Sequence, residues 1–123
     1  MFDNLLRGLT TNHANWDPGS PDPAQRPLEL AIDVDQAAAR LRTWVEDQAN
    51  WSIEDQQTVD AGLHLSLTRR TPVFRFTDDI RVRLRSTAEG EGCVVEAESR
   101  SRIGKGDLGQ NRRNLGELRS VFR

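Results

Sequence analysis

Two consecutive stretches of strict alternation, Val73 to Ser86 and Cys93 to Ser101, are separated by a turn around Ala88 to Gly92. A period of two sends successive side chains to opposite faces of a strand, so the pair reads as an antiparallel hairpin. In the first stretch Phe74, Phe76, Ile80, Val82 and Leu84 share one face, with Asp78 among them, while Arg75, Thr77, Asp79, Arg81, Arg83 and Arg85 share the other. In the second, Cys93, Val95, Ala97, Ser99 and Ser101 oppose Val94, Glu96, Glu98, Arg100 and Arg102. The charges fix a register. If Ser86 pairs with Cys93, then Arg83 faces Glu96, Arg81 faces Glu98 and Asp79 faces Arg100, and the other face matches Leu84 with Val95, Val82 with Ala97 and Ile80 with Ser99. A one-residue slip would set arginines opposite apolar residues. The arginine row is therefore a self-neutralised sheet face, and nucleic acid is not an expected partner.

The remaining elements follow from the same patterns. Residues 1–27 read as an N-terminal arm, with a short helical stretch over 1–10, a proline-rich extended part over 11–27, and Trp16 as an anchor onto the core. Residues 28–123 read as one domain. Leu28, Leu30 and Ile32 suggest a short edge strand. Asp33 to Gln36 makes a capping box for a helix to about Gln48, with Ala38, Leu41, Trp44 and Val45 on one face. Trp51 to Val59 and Leu63 to Thr68 are strands joined by a turn at Asp60-Ala61-Gly62. A second capping box, Asp107 to Gln110, opens a last helix to about Phe122, whose stripe is Leu108, Leu115, Leu118 and Phe122, with Asn111 at the missing step. The fold expected is α+β: an antiparallel sheet of four to five strands in the order β-α-β-β-β-β-α, both helices packed on one face.

Charge is divided unevenly. Residues 1–59 carry four arginines against ten acids, and residues 60–123 carry thirteen basic residues against nine acids. The halves thus offer complementary surfaces, within a net charge of -2. A lone cysteine, Cys93, excludes an internal disulfide and reads as a small buried hydrophobe. No stretch is long and apolar enough for a membrane span, and MFDNLLRGLT is too short and polar for a secretory signal, so a soluble cytoplasmic protein is the expectation. His13 and His64 lack metal-ligand spacing, so neither a metal nor a cofactor is expected.

Ser99 to Arg113, SRSRIGKGDLGQNRR, concentrates the residues that need a job. Gly104 to Gly109 matches G-x-G-x-x-G between a strand and a helix, but no second parallel strand follows as a dinucleotide fold requires. Asp107 reads as a helix cap, and Gly104 and Gly109 as residues permitting a tight turn and close helix–strand approach. Asn111 on the buried face must satisfy several hydrogen-bonding positions, so Asp78, Ser101, Arg102, Asn111 and Arg112 form a candidate polar cluster, structural or ligand-binding. No catalytic residue is assigned.

The motifs Ser99-Arg100-Ser101-Arg102-Ile103-Gly104, Asp107-Leu108-Gly109 and Asn111-Arg112-Arg113, with Phe74-Arg75-Phe76 followed by Asp78-Asp79, resemble the uncharacterised bacterial and plant family known as domain of unknown function 1499. The resemblance covers roughly residues 28–123, with a looser match around Asn15-Trp16, and implies a small α+β domain without established catalysis. Three functions compete. The first is a non-catalytic binding module for a small amphipathic or anionic ligand, held between sheet and helices. The second is a structural or protein-interaction module using the arm and the charged sheet face. The third is a hydrolase using Asp78 with an arginine, which needs that carboxylate in an open cleft. The residues set no oligomeric state.

Overall fold

The arginine–glutamate ladder occupies the centre of the sheet. In a computed structural model, which describes residues 13–72, 75–102 and 109–123, Thr77–Ser86 (β5) and Cys93–Ser101 (β6) pair in the register that the charges dictate, Ser86 with Cys93 through Asp78 with Ser101. The other elements are His13–Asn15 (β1), Leu28–Leu30 (β2), Val34–Glu46 (α1), Trp51–Val59 (β3), Gly62–Arg70 (β4) and Gln110–Val121 (α2). Strand order is β1-β6-β5-β4-β3, with β2 also on β6, and every pairing is antiparallel.

The α+β class and the two helices stand as expected. Both cover the face lined by Leu63, Leu65, Leu67, Ile80, Val82, Leu84, Val95 and Ala97. α1 lies over β3 to β5 and buries Val34, Ala37, Ala38, Leu41 and Val45. Its Asp33–Gln36 capping box is formed, with both reciprocal bonds present. Trp44 and Trp51 meet edge to face at 5.0 Å between ring centroids, tying the end of α1 to the start of β3. α2 lies over β6 and β1. The opposite sheet face carries the ion pairs Arg81–Glu98, Arg83–Glu96 and Arg85–Glu96.

The sheet has one more strand than the sequence suggested, because the arm pairs with β6. His13, Ala14 and Asn15 lie opposite Arg100, Ser99 and Glu98, while Leu28 to Leu30 lie opposite Val95 to Cys93. The two short strands therefore run end to end along one edge. Between them the chain loops out through a 3-10 turn at Pro23–Gln25. Trp16 is the expected anchor: it is 4% exposed, its amide donates to Ala97 O at 3.0 Å, and the Arg119 guanidinium stacks 4.6 Å from its ring centre. Arg119 also donates to the carbonyl of Arg26, which fastens the far end of the loop. The short helical stretch expected over residues 1–10 lies outside the described residues.

Two expectations are corrected. The strand expected from Val73 starts at Thr77, and Phe76, placed on the core face by the alternation, is 44% exposed. Arg75 has φ 56, a left-handed conformation that breaks the period of two. Thr71 and Phe76 close the hairpin instead, the Phe76 amide donating to Thr71 Oγ1 at 2.9 Å and the Thr71 amide to Phe76 O at 2.8 Å. Val73 and Phe74 lie outside the described residues. The last helix starts at Gln110, not Asp107. Its N-cap is Gly109, at φ 82, with no side-chain cap bond. Gln110 is thus the first residue of the helix and cannot serve as the third residue of a capping box.

Gly62 is required for packing. A Cβ there would lie 1.9 Å from the Leu84 carbonyl oxygen, where β4 crosses β5. Gly62→Ala is expected to destabilise the domain by about 2 kcal/mol or more, because the obstacle is backbone and cannot rotate away. Urea unfolding followed by tryptophan fluorescence measures it, and an unchanged midpoint would refute the packing argument.

Candidate functional site

Five buried polar residues, Asp78, Ser99, Ser101, Asn111 and Asn114, lie where α2 crosses β5 and β6. The strand period turns Asp78, Ser99 and Ser101 inward, in line with Ile80 and Ala97. The helical period puts Asn111, Asn114, Leu115 and Leu118 on one face.

Their hydrogen bonds form a directed chain. Arg69 NH1 donates to Asn114 Oδ1 at 3.0 Å, and Gln110 Nε2 donates to the same oxygen at 2.7 Å. Asn114 Nδ2 donates to Asp78 Oδ2 at 2.8 Å and to Ser99 Oγ at 3.1 Å. Ser99 Oγ donates to Asn111 Oδ1 at 2.6 Å, and Asn111 Nδ2 donates to Ser101 Oγ at 2.9 Å. Asn114 fills all four of its hydrogen-bonding positions. Its orientation follows from chemistry: arginine can only donate, so the oxygen must face Arg69 and the amide faces Asp78. Arg69 Nε also sits 3.2 Å from Glu117 Oε2, close enough for charge attraction.

The structure brings Asp78, Ser101 and Asn111 together, as the sequence suggested, but not Arg102 or Arg112. Arg102 is exposed on the open face and clamps Asp79 with two bonds of 2.9 Å. That bidentate pair replaces the expected Arg100–Asp79 ion pair, although Arg100 and Asp79 are cross-strand neighbours. The Arg112 side chain is exposed, with no hydrogen bond or ion pair among the described residues. Gly109 is the helix N-cap, whereas Gly104 and Asp107 lie outside the described residues.

Sequence reasoning missed Asn114, Ser99 and Arg69. The signals were present: Asn114 is three residues beyond Asn111 on the same stripe, Ser99 sits on the inward face of β6, and Arg69 continues Leu63, Leu65 and Leu67.

Asp78 is 1% exposed, so no cleft opens onto its carboxylate. Among the described residues, no group of three or more His, Cys, Asp or Glu could hold a metal ion, and no helix is long and apolar enough to cross a membrane. Burial pushes the Cys93 thiol above its ordinary value, which disfavours the thiolate that a nucleophile needs.

A concavity lies on the open face of the sheet. It encloses about 410 Å³ and is lined by Glu54, Ser66, Thr68, Asp79, Arg81, Glu98, Arg100 and Arg102, among others. Thr68 Oγ1 donates to Glu54 Oε1 at 2.9 Å across its floor. Arg100 is exposed here and has no acidic partner among the described residues.

A family model described as "Protein of unknown function (DUF1499)" matches residues 8–122. No curated protein and no solved structure matches the chain.

Two variants separate the buried chain from the exposed arginine. Asn114→Ala leaves the Asp78 carboxylate and the Arg69 guanidinium without their shared amide and is expected to cost about 3 kcal/mol. Arg112→Ala is expected to change stability by less than about 0.5 kcal/mol. Equal losses in urea titrations would contradict the assignment. A pH effect follows from Cys93. A raised folded-state value means the folded protein holds the thiol proton more tightly than the unfolded chain does. Stability is therefore complete below the ordinary value of 9.0 and falls as pH rises past it. The chain has no tyrosine and one lysine, so few other groups titrate there. Cys93→Val should flatten the fall in unfolding midpoint between about pH 8 and about pH 10.

Proposed function

The chain belongs to the family of the domain of unknown function 1499, and we propose that it is a non-catalytic binding module that takes a small anionic ligand on the open face of the sheet. Arg100 carries this reading. Its cross-strand neighbour Asp79 is already held by both arms of Arg102, so the Arg100 guanidinium faces a groove of about 410 Å³ with its donors uncommitted among the described residues. A planar guanidinium in that state suits a carboxylate or phosphate, which it can grip bidentately. Arg81, held to Glu98 at a loose 3.9 Å, adds a second cation. Glu54, Glu98 and the Ser66 hydroxyl line the same groove and suit donor groups elsewhere on the ligand. The best fit is thus a small acid that also carries hydroxyl or amino groups.

The interior cluster supports a structural role instead. Asn111 and Asn114 are 0% exposed, and Asn114 has no hydrogen-bonding position left for a ligand. A hydrolytic role for Asp78 would need the helix to lift off the sheet. The arm is less available to a partner than its sequence suggested, since from His13 to Trp16 it is bonded to β6 of its own sheet.

Titration with citrate or inorganic phosphate, followed by amide NMR shifts, tests the reading. Shifts are expected at Thr68, Asp79 and Arg100. Arg100→Ser should weaken binding about tenfold or more, the scale of one charge-assisted hydrogen-bond pair, with no change in melting temperature. Shifts centred on α2, or unchanged affinity in the variant, would overturn it.

A further inference from the structure

The two ends of the sheet differ in charge. At one end, the β3–β4 and β5–β6 turns expose Asp60, Glu89 and Glu91. At the other end, where β4 turns into β5 and α2 begins, the exposed side chains include Arg70, Arg75 and Arg112, alongside two exposed acids, Glu46 and Asp47, at the end of α1. None of these three arginines has an ion pair or side-chain hydrogen bond among the described residues, whereas Arg69 and Arg102 at this end are taken by Glu117 and Asp79.

The basic end also carries the exposed large hydrophobic side chain among the described residues, Phe76. It sits beyond Arg70–Thr77, the last β4–β5 ladder pair, in a hairpin closed by the Thr71–Phe76 bonds, with Pro72 exposed beside it. Arg75 adopts φ 56, a conformation uncommon for a side-chain-bearing residue, and breaks the strand period that would have turned Phe76 into the core.

We propose that this end of the domain docks on an anionic lipid bilayer, with Phe76 entering the headgroup–acyl boundary and Arg70, Arg75 and Arg112 at the level of the lipid phosphates. The occupant is argued from the combination of groups. Cations alone would suit any polyanion. An exposed aromatic ring beside the arginines of the same hairpin, Arg70 and Arg75, also needs an apolar layer just beneath a negative surface, which a bilayer supplies. A nucleic acid would instead call for a groove with aromatic walls between which bases could stack. The acidic opposite end orients the molecule, because a charge asymmetry along the strands turns the basic end toward a negative surface. The docking surface excludes Arg100 and the groove on the open face, so the two proposals can fail separately.

Co-sedimentation of the whole chain with vesicles tests the proposal. Binding is expected to vesicles of phosphatidylcholine with about one third phosphatidylglycerol, and not to phosphatidylcholine alone. It should weaken as salt rises. Arg70→Ser and Arg75→Ser should each reduce binding about fivefold, the loss expected per basic residue at an anionic leaflet. Phe76→Ser should reduce it further while leaving the citrate titration at Arg100 unchanged. These three side chains are exposed, so the variants are expected to fold, and an unchanged circular dichroism melt checks that. Failure of the wild-type chain to bind anionic vesicles would overturn the proposal. So would binding that Phe76→Ser leaves intact, or binding to a single-stranded oligonucleotide without binding to vesicles.

Discussion

A carboxylate sits beneath a helix, and the position of that helix depends on it. Leaving a buried polar group without a hydrogen-bond partner costs about 1–3 kcal/mol. Asp78, at 1% exposure, receives the Asn114 amide, and Asn114 is held on its other side by Arg69 and Gln110. Leu115 and Leu118 would bury similar area if α2 slid along the sheet by a turn, since apolar contact has little direction. Asn114 would not reach Asp78 and Ser99 after such a slide. The leucines supply area and the asparagines select one placement. Ser99 and Asn111 extend the selection to β6, so helix and hairpin are fixed relative to one another by a single run of donors and acceptors.

This chain can exist because of the β5–β6 register. That register sends Asp78, Ser99 and Ser101 to the face under α2 and sends Asp79, Glu98 and Arg100 to the open face. It was legible from charge alternation, because only one alignment satisfies the apolar and the charged face together. The capping box of α1 was legible for a similar reason: the residue types at both reciprocal positions were correct. Less legible were contacts made by long side chains at the ends of strands. Arg102 reaches back along β6 to Asp79 and displaces its direct cross-strand neighbour Arg100, a choice set by chain reach and bidentate geometry, not by register. The start of α2 was misplaced because Asp107-x-x-Gln110 imitates a cap, whereas a left-handed glycine at 109 makes the turn with its backbone alone. Strand β1 was missed because three residues in a polar arm carry no periodic signal of their own. Their pairing is a consequence of Trp16 being held in the core.

Arginine is the residue that distinguishes one surface from another here, since it supplies all but one of the basic side chains. Many of these guanidinium groups have a definite structural use. Arg69 enters the interior and meets Asn114 and Glu117, Arg119 stacks on Trp16, Arg81, Arg83 and Arg85 neutralise Glu96 and Glu98, and Arg102 holds Asp79. Those uses belong to the fold. Arg40, Arg70, Arg75, Arg100, Arg112 and Arg123 have no side-chain hydrogen bond or ion pair among the described residues. Of these, Arg100 opens onto the groove, and Arg70, Arg75 and Arg112 lie at one end of the sheet.

The distinction between a stripe of arginines and an uncommitted arginine therefore decides where function is sought. The row at 81, 83 and 85 is the more conspicuous in sequence, yet its charge is spent across the strand on glutamates. Arg100 stands in an unremarkable position, and it is left over because a neighbour two residues along outcompeted it for Asp79. Such a displacement has a chemical consequence. A paired guanidinium must first give up a carboxylate before it can accept a ligand anion, and that exchange is close to neutral in free energy. An unpaired one gains a partner without losing another, so an anion offered to both would be held more tightly at Arg100 than at any rung of the ladder.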